Sequence, residues 1–148
     1  MIKVKYLLSL VAILIIAGLS SCHKDDPKPL SKTDLISRTW KVTGTTVNGI
    51  DIFSSTPACQ KDDLWKFTKD GTITFDEGAT KCDPSDPQTE TSNWAFTENE
   101  TKIKITSLDG SSTETDTVAE LTATTLKIST VDTSTGTPIT LVLIFSPQ

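Results

Sequence analysis

Few side chains in this sequence can make or break bonds. The chain carries one histidine, His23, and three cysteines, Cys22, Cys59 and Cys82. With no other imidazole, a serine or cysteine nucleophile has no histidine base in the body of the chain, and a histidine-bearing zinc site has no ligands there. The carboxylates Asp62, Asp63, Asp76, Glu77, Asp83 and Asp86 remain. They could do acid and base work, but they fall at loop-like positions without a recognisable spacing, and they lack the alternating oxygen ligands of an EF-hand loop. They read as solvated loop charges, and the expectation is a protein with no catalytic site, no metal and no cofactor.

Cys22 belongs to a different kind of chemistry. A short basic start (Lys3, Lys5) runs into an apolar stretch from Tyr6 to Leu19 and stops at Leu19-Ser20-Ser21-Cys22. That segment resembles a bacterial lipoprotein signal with its lipobox, in which the cysteine is lipidated and becomes the first residue of the mature protein. The stretch is short for a membrane span of about 20 residues and no basic stop-transfer cluster follows it, so a cleaved signal is expected rather than a retained anchor. The expected organisation is a signal over 1–21, a lipidated cysteine and tether over 22–30, and one domain over 31–148. The implied location is an outer-membrane lipoprotein, on the cell surface or the periplasmic face. Lys24, Asp25 and Asp26 after the cysteine also resemble the acidic signal that sends Bacteroidetes lipoproteins to the cell surface.

Processing before Cys22 leaves 127 residues, enough for one compact domain. It also removes Lys3 and Lys5, leaving 12 basic against 19 acidic residues and a net charge of −7. No basic stripe remains to neutralise phosphates, so nucleic acid is not expected as a partner. Lipidation of Cys22 accounts for the odd cysteine, and export places Cys59 and Cys82 where disulfides persist, so these two are expected to bond.

The elements that position these residues read as strands. Ser31 stands three residues before Asp34, a capping box that starts one short helix. From Thr39 the chain turns β-rich, with Trp40 and Val42 alternating with polar neighbours up to the Asn48-Gly49 turn, and threonine crowds every later segment. At Lys69-Asp70-Gly71 a two-residue turn would split the apolar set between faces. A three-residue loop with Gly71 left-handed instead pairs Phe67 with Ile73 and Trp65 with Phe75. That register sets Cys59 opposite Lys81, so a bulge at Gly78 is expected to bring Cys82 back into line. Trp94 and Phe96 pair with Ile105 and Ile103 across Glu98 to Thr101, and Leu121 and Ala119 face Leu126 and Ile128 across Thr122 to Thr125. The last strand, Ile139 to Phe145, is apolar on both faces through Leu141, Val142, Leu143 and Ile144, and is expected to be flanked and covered on both sides. The fold class is all-β: about eight antiparallel strands in up-and-down order, closed into a barrel, with a two-sheet sandwich as the alternative.

The chain resembles the lipocalin-like domain lipoproteins of Bacteroidetes. The resemblance rests on the lipobox, the short helix, Trp40, the run Cys59-Gln60-Lys61-Asp62-Asp63-Leu64-Trp65-Lys66-Phe67 into Asp70-Gly71-Thr72, Cys82, Trp94-Ala95-Phe96, and the turn before Lys102-Ile103-Lys104-Ile105. True lipocalins have Gly-x-Trp on the first strand and a late arginine on that tryptophan. Here Arg38-Thr39-Trp40 lacks the glycine, and Arg38 is the sole arginine.

The inward face of such a barrel would carry Trp40, Trp65, Phe67, Ile73, Phe75, Trp94, Phe96, Ile103, Ile105, Leu126, Ile128, Leu141, Leu143 and Phe145. These residues either fill a core or line a pocket for one apolar ligand, since an eight-stranded barrel is just wide enough for either. Two functions follow. One is a lipid-anchored protein that binds a small apolar or amphipathic molecule. The other is a non-catalytic interaction module that contacts another envelope protein or a glycan through its loops, with Phe53 the loop aromatic to watch.

Overall fold

The structure is a computed structural model that describes residues 28–134 and 136–148. Cys22, the signal segment and most of the tether lie outside the described residues. Ser31 caps helix α1 (Lys32–Ile36): its hydroxyl accepts from the Asp34 amide, and the Asp34 carboxylate accepts in return from the Ser31 amide. The strands follow as β1 (Thr39–Val47), β2 (Ile50–Asp51), β3 (Leu64–Phe67), β4 (Thr72–Asp76), β5 (Thr89–Thr97), β6 (Lys102–Ser107), β7 (Thr113–Leu121), β8 (Leu126–Asp132) and β9 (Ile139–Pro147).

Every pairing is antiparallel between sequence neighbours except that β1 skips β2 to reach β3 and also pairs with β9. The β1–β9 ladder closes eight strands into a barrel and removes the sandwich alternative, because neither end of the series keeps a free edge. β2 is a two-residue flap folded back on β1 across Asn48-Gly49. The three-residue loop is present. Phe67 pairs with Ile73 and Trp65 with Phe75, Gly71 is left-handed, and Thr68 and Thr72 close the loop with a 2.9 Å backbone bond.

Three local expectations are corrected. There is no bulge at Gly78: the β3–β4 ladder stops at Leu64 and Asp76, and both chains leave the sheet. Cys59 and Cys82 nevertheless bond, with Cα atoms 5.2 Å apart, between a 3₁₀ turn (Ala58–Gln60) and the β4–β5 loop. Loops can meet at any offset, so no register match is required. Gly78 has its own role there. At φ +66° it lies under the Asp62 carbonyl, and a Cβ would come within 2.4 Å of that oxygen.

The second correction concerns β7. Val118, not Ala119, pairs with Ile128, and a register shift at Ala119 separates it from the Leu121–Leu126 pair. The extra residue lets Val118 and Leu121, three apart, both pack on the core. The third concerns β9, which is flanked by β8 and β1 but covered by a layer only on its inner side. Outside, Ile144 lies over Gly44, where a Cβ would sit 3.2 Å from its Cδ1.

Candidate functional site

The two ends of the barrel differ. At one end the chain enters through α1, and the helix together with Arg38 just after it is bonded to three of the turns that close that end. Lys32 Nζ donates to the Glu100 carbonyl at 2.7 Å, Lys69 pairs with Asp34, and the Arg38 guanidinium donates to the Ala123 carbonyl at 2.8 Å. The same guanidinium lies 5.5 Å from the centre of the Trp40 ring, so the arginine–tryptophan stack that true lipocalins build with a late arginine is made here from two positions upstream. Trp40 is fully buried and its indole donates to the Ile36 carbonyl at 2.8 Å.

Above this plug the barrel is packed. Phe67, Ile73, Trp94, Ile103, Ile105, Leu126, Ile128 and Phe145 join Trp40 in one buried cluster, with Trp65, Phe75, Phe96 and Leu143 partly buried against it. Trp94 meets Phe67 and Phe96 edge-on at 5.5 and 5.3 Å, and its indole donates to the Thr68 carbonyl. The structure therefore brings thirteen of the fourteen inward residues into the core or its margin and leaves Leu141 higher up.

Toward the other end the filling stops. A cavity of about 470 Å³ opens there, walled by Val42 and Thr45 of β1, Trp65 of β3, Leu141 and Leu143 of β9, and the segment Ile52 to Gln60 with Asp63. Trp65 forms its floor, held at 4.9 Å from both Phe75 and Phe145. The Ile52–Gln60 wall is stapled by the disulfide and anchored at its start by the Ile52 amide on the Thr45 carbonyl. Phe53 is half-buried against the core beneath Lys61 Nζ, so it is not an exposed loop aromatic.

The carboxylates near this mouth are not equivalent. Asp62 accepts from the amides of Ala79 and Thr80 and from the Thr80 hydroxyl, which hold its carboxyl below the usual range and fasten the two loops together. Asp76 is lowered by Lys66 and Gln88. Asp63 is the exception. It lines the cavity, its Oδ1 is sealed from solvent with no hydrogen-bond partner among the described residues, and burial, then Glu77, Asp62 and Asp76, push it up to about 6. Asp63 is therefore not the solvated loop charge expected of it. The alternation Asp63-x-Trp65-x-Phe67 carried the signal, since one further step of a period of two puts Asp63 on the inward side. Ile52, Thr45 and Gln60 had no such signal. Among the described residues no group of His, Cys, Asp or Glu side chains is arranged to hold a metal ion.

A model of the lipocalin-like domain matches residues 36–128, from the end of α1 into β8. The chain belongs to the lipocalin-like domain family. A lipocalin-like protein from Bacteroides uniformis ATCC 8492 superposes on it with a TM-score of 0.52 at 14% sequence identity, over 76% of this chain and 98% of that one. That likeness is one of fold. Bovine odorant binding protein, in complex with a selenium-containing odorant, aligns with a TM-score of 0.44 at 10% identity, over 84% of this chain and 77% of its own. No curated protein matches this lipocalin-like chain.

Proposed function

We propose that this lipocalin-like chain is a non-catalytic binding protein of the bacterial envelope, tethered by a lipid on Cys22, that takes one small apolar or amphipathic molecule into its mouth cavity. The half-filled barrel carries the reading. Its about 470 Å³ cavity falls in the range of small-molecule sites, with apolar walls and a few polar groups. The geometry also suits a tether. The chain reaches the barrel at the plugged end, through α1, and a lipid on Cys22 would be joined to the barrel from that end, opposite the cavity mouth.

Titration with a neutral naphthylamine fluorophore tests the cavity. The full chain is expected to bind it, and Leu143→Trp, which fills the space, to lose most of that binding while remaining folded. Equal binding by the variant, or none by the parent, overturns the reading. The tether is tested by Cys22→Ala, which is expected to leave unprocessed protein that no longer partitions into detergent; unaltered processing would refute it.

A second reading has its own support. Ile50, Leu108 and Val131 are 69%, 65% and 57% exposed on segments at the mouth end. Such a rim could contact an envelope protein, and loss of a cross-linked partner on substituting all three with serine, with fluorophore binding intact, would favour that role.

A further inference from the structure

We propose that the mouth cavity selects a cationic amphiphile, an organic ammonium group on an apolar body, with Asp63 supplying the counter-charge. This rests on the cavity-binding reading above and specifies its ligand class. The apolar walls, Val42, Leu141, Leu143 and Trp65, suit the apolar body, and Asp63 stands on the same lining.

The decisive feature is the charge balance around that carboxylate. Its near neighbours are acidic: Asp62, Asp76 and Glu77. Two of these are already compensated, Asp62 by the Ala79 and Thr80 donors and Asp76 by Lys66. Asp63 has no donor on its sealed oxygen among the described residues. Among the described residues, Lys61 and Lys81 on the flanking loops are engaged elsewhere. Lys61 donates to the Ser54 carbonyl and sits over Phe53, while Lys81 donates to the carbonyls of Pro84 and Asp86. The adjoining clefts at the same end add Glu77, Asp86, Glu90 and Glu114.

The interior repeats the sign. Asp116 is 5% exposed inside the barrel and accepts from the Thr130 hydroxyl, whereas no lysine or arginine is buried among the described residues. A fatty-acid carboxylate entering here would meet uncompensated negative charge with nothing to pair it. An ammonium would be drawn by the acidic rim and would pair with the Asp63 carboxylate on the cavity lining. Burial already disfavours the charged form of Asp63, and relief of that penalty adds to the preference for a cation.

Three probes with the same tail separate charge from apolar binding: decylammonium, decanol and decanoate, each displacing the neutral fluorophore from the full chain at pH 7.5. Decylammonium is expected to bind at least tenfold more tightly than decanol, and decanoate more weakly than either. Asp63→Asn should erase the ammonium advantage over decanol. Lowering the pH to 5 should weaken decylammonium alone, as Asp63 takes up a proton. If decanol binds but decanoate matches decylammonium, or if the variant keeps the ammonium preference, the charge assignment is overturned while the cavity reading stands. If neither the fluorophore nor any probe binds, both fall together.

Discussion

Truncating Trp94 tests the division of the barrel into a packed half and a hollow half. Trp94 is 7% exposed, touches Phe67 and Phe96 edge-on, and does not line the cavity. Burying a tryptophan removes about 150–250 Å² from water, worth about 4–6 kcal/mol as an upper bound. The Thr68 carbonyl would also lose its indole donor, which adds about 1 kcal/mol. Trp94→Ala should therefore cost about 4 kcal/mol, within the range for large-to-small core changes, and a domain stable by about 5–15 kcal/mol should survive it. Trp65→Ala is the control. Trp65 is only partly buried and forms the cavity floor, so its loss should cost about half as much and instead weaken fluorophore binding. Urea unfolding of the oxidised protein, with fluorophore titration of each variant, reads both quantities. Equal destabilisation by the two, or a Trp94→Ala cost below about 1.5 kcal/mol, would refute the packed-versus-hollow division.

Other perturbations address the loops and the charge at the mouth. Reducing the Cys59–Cys82 bond, which spans a sequence separation of 23, should lower stability by about 3 kcal/mol and weaken fluorophore binding, because the Ile52–Gln60 wall loses its staple; a melt with and without reductant checks it. Gly78→Ala should destabilise by about 2 kcal/mol, since a Cβ there collides with the Asp62 carbonyl in a left-handed backbone, and Gly49→Ala, with φ +80° but open space around it, should cost less. Asp63 has its folded value raised from 3.8 to about 6, so between those pH values the folded chain holds a proton that the unfolded chain has released. Stability should then fall as pH rises through about 4 to 6, and Asp63→Asn should remove that slope and gain about 1 kcal/mol at pH 7, solvent screening having reduced the full effect of the shift; denaturation midpoints from pH 4 to 8 would show it.

Much of the fold was legible in the residues. The alternation of apolar and threonine-rich positions allowed only a half-buried sheet, and the single arrangement that kept Trp65, Phe67, Ile73 and Phe75 on one face dictated the three-residue loop at Gly71. The capping box marked the start of α1, and cysteine arithmetic identified the bonded pair. These features follow from local sterics, from a strand period of two and from counting, all of which a linear sequence carries. The bulge at Ala119 was not legible, because it depends on which of Val118 and Ala119 the core accepts.

The cavity was decided only in three dimensions. Fourteen inward residues are compatible with a filled barrel or a hollow one, since the outcome depends on how the Ile52–Gln60 segment folds over the mouth. That segment has no periodicity, and its position is set by contacts distant in sequence: the disulfide to Cys82, and Asp62 fastened to Ala79 and Thr80. The same contacts turned Asp63 from a loop charge into a half-buried carboxylate whose Oδ1 has no donor among the described residues. Alternation can assign a side chain to the inner face of a strand, but burial and charge compensation are sums over neighbours brought together from β1, β3, β9 and two loops, and those sums exist only after the barrel has closed.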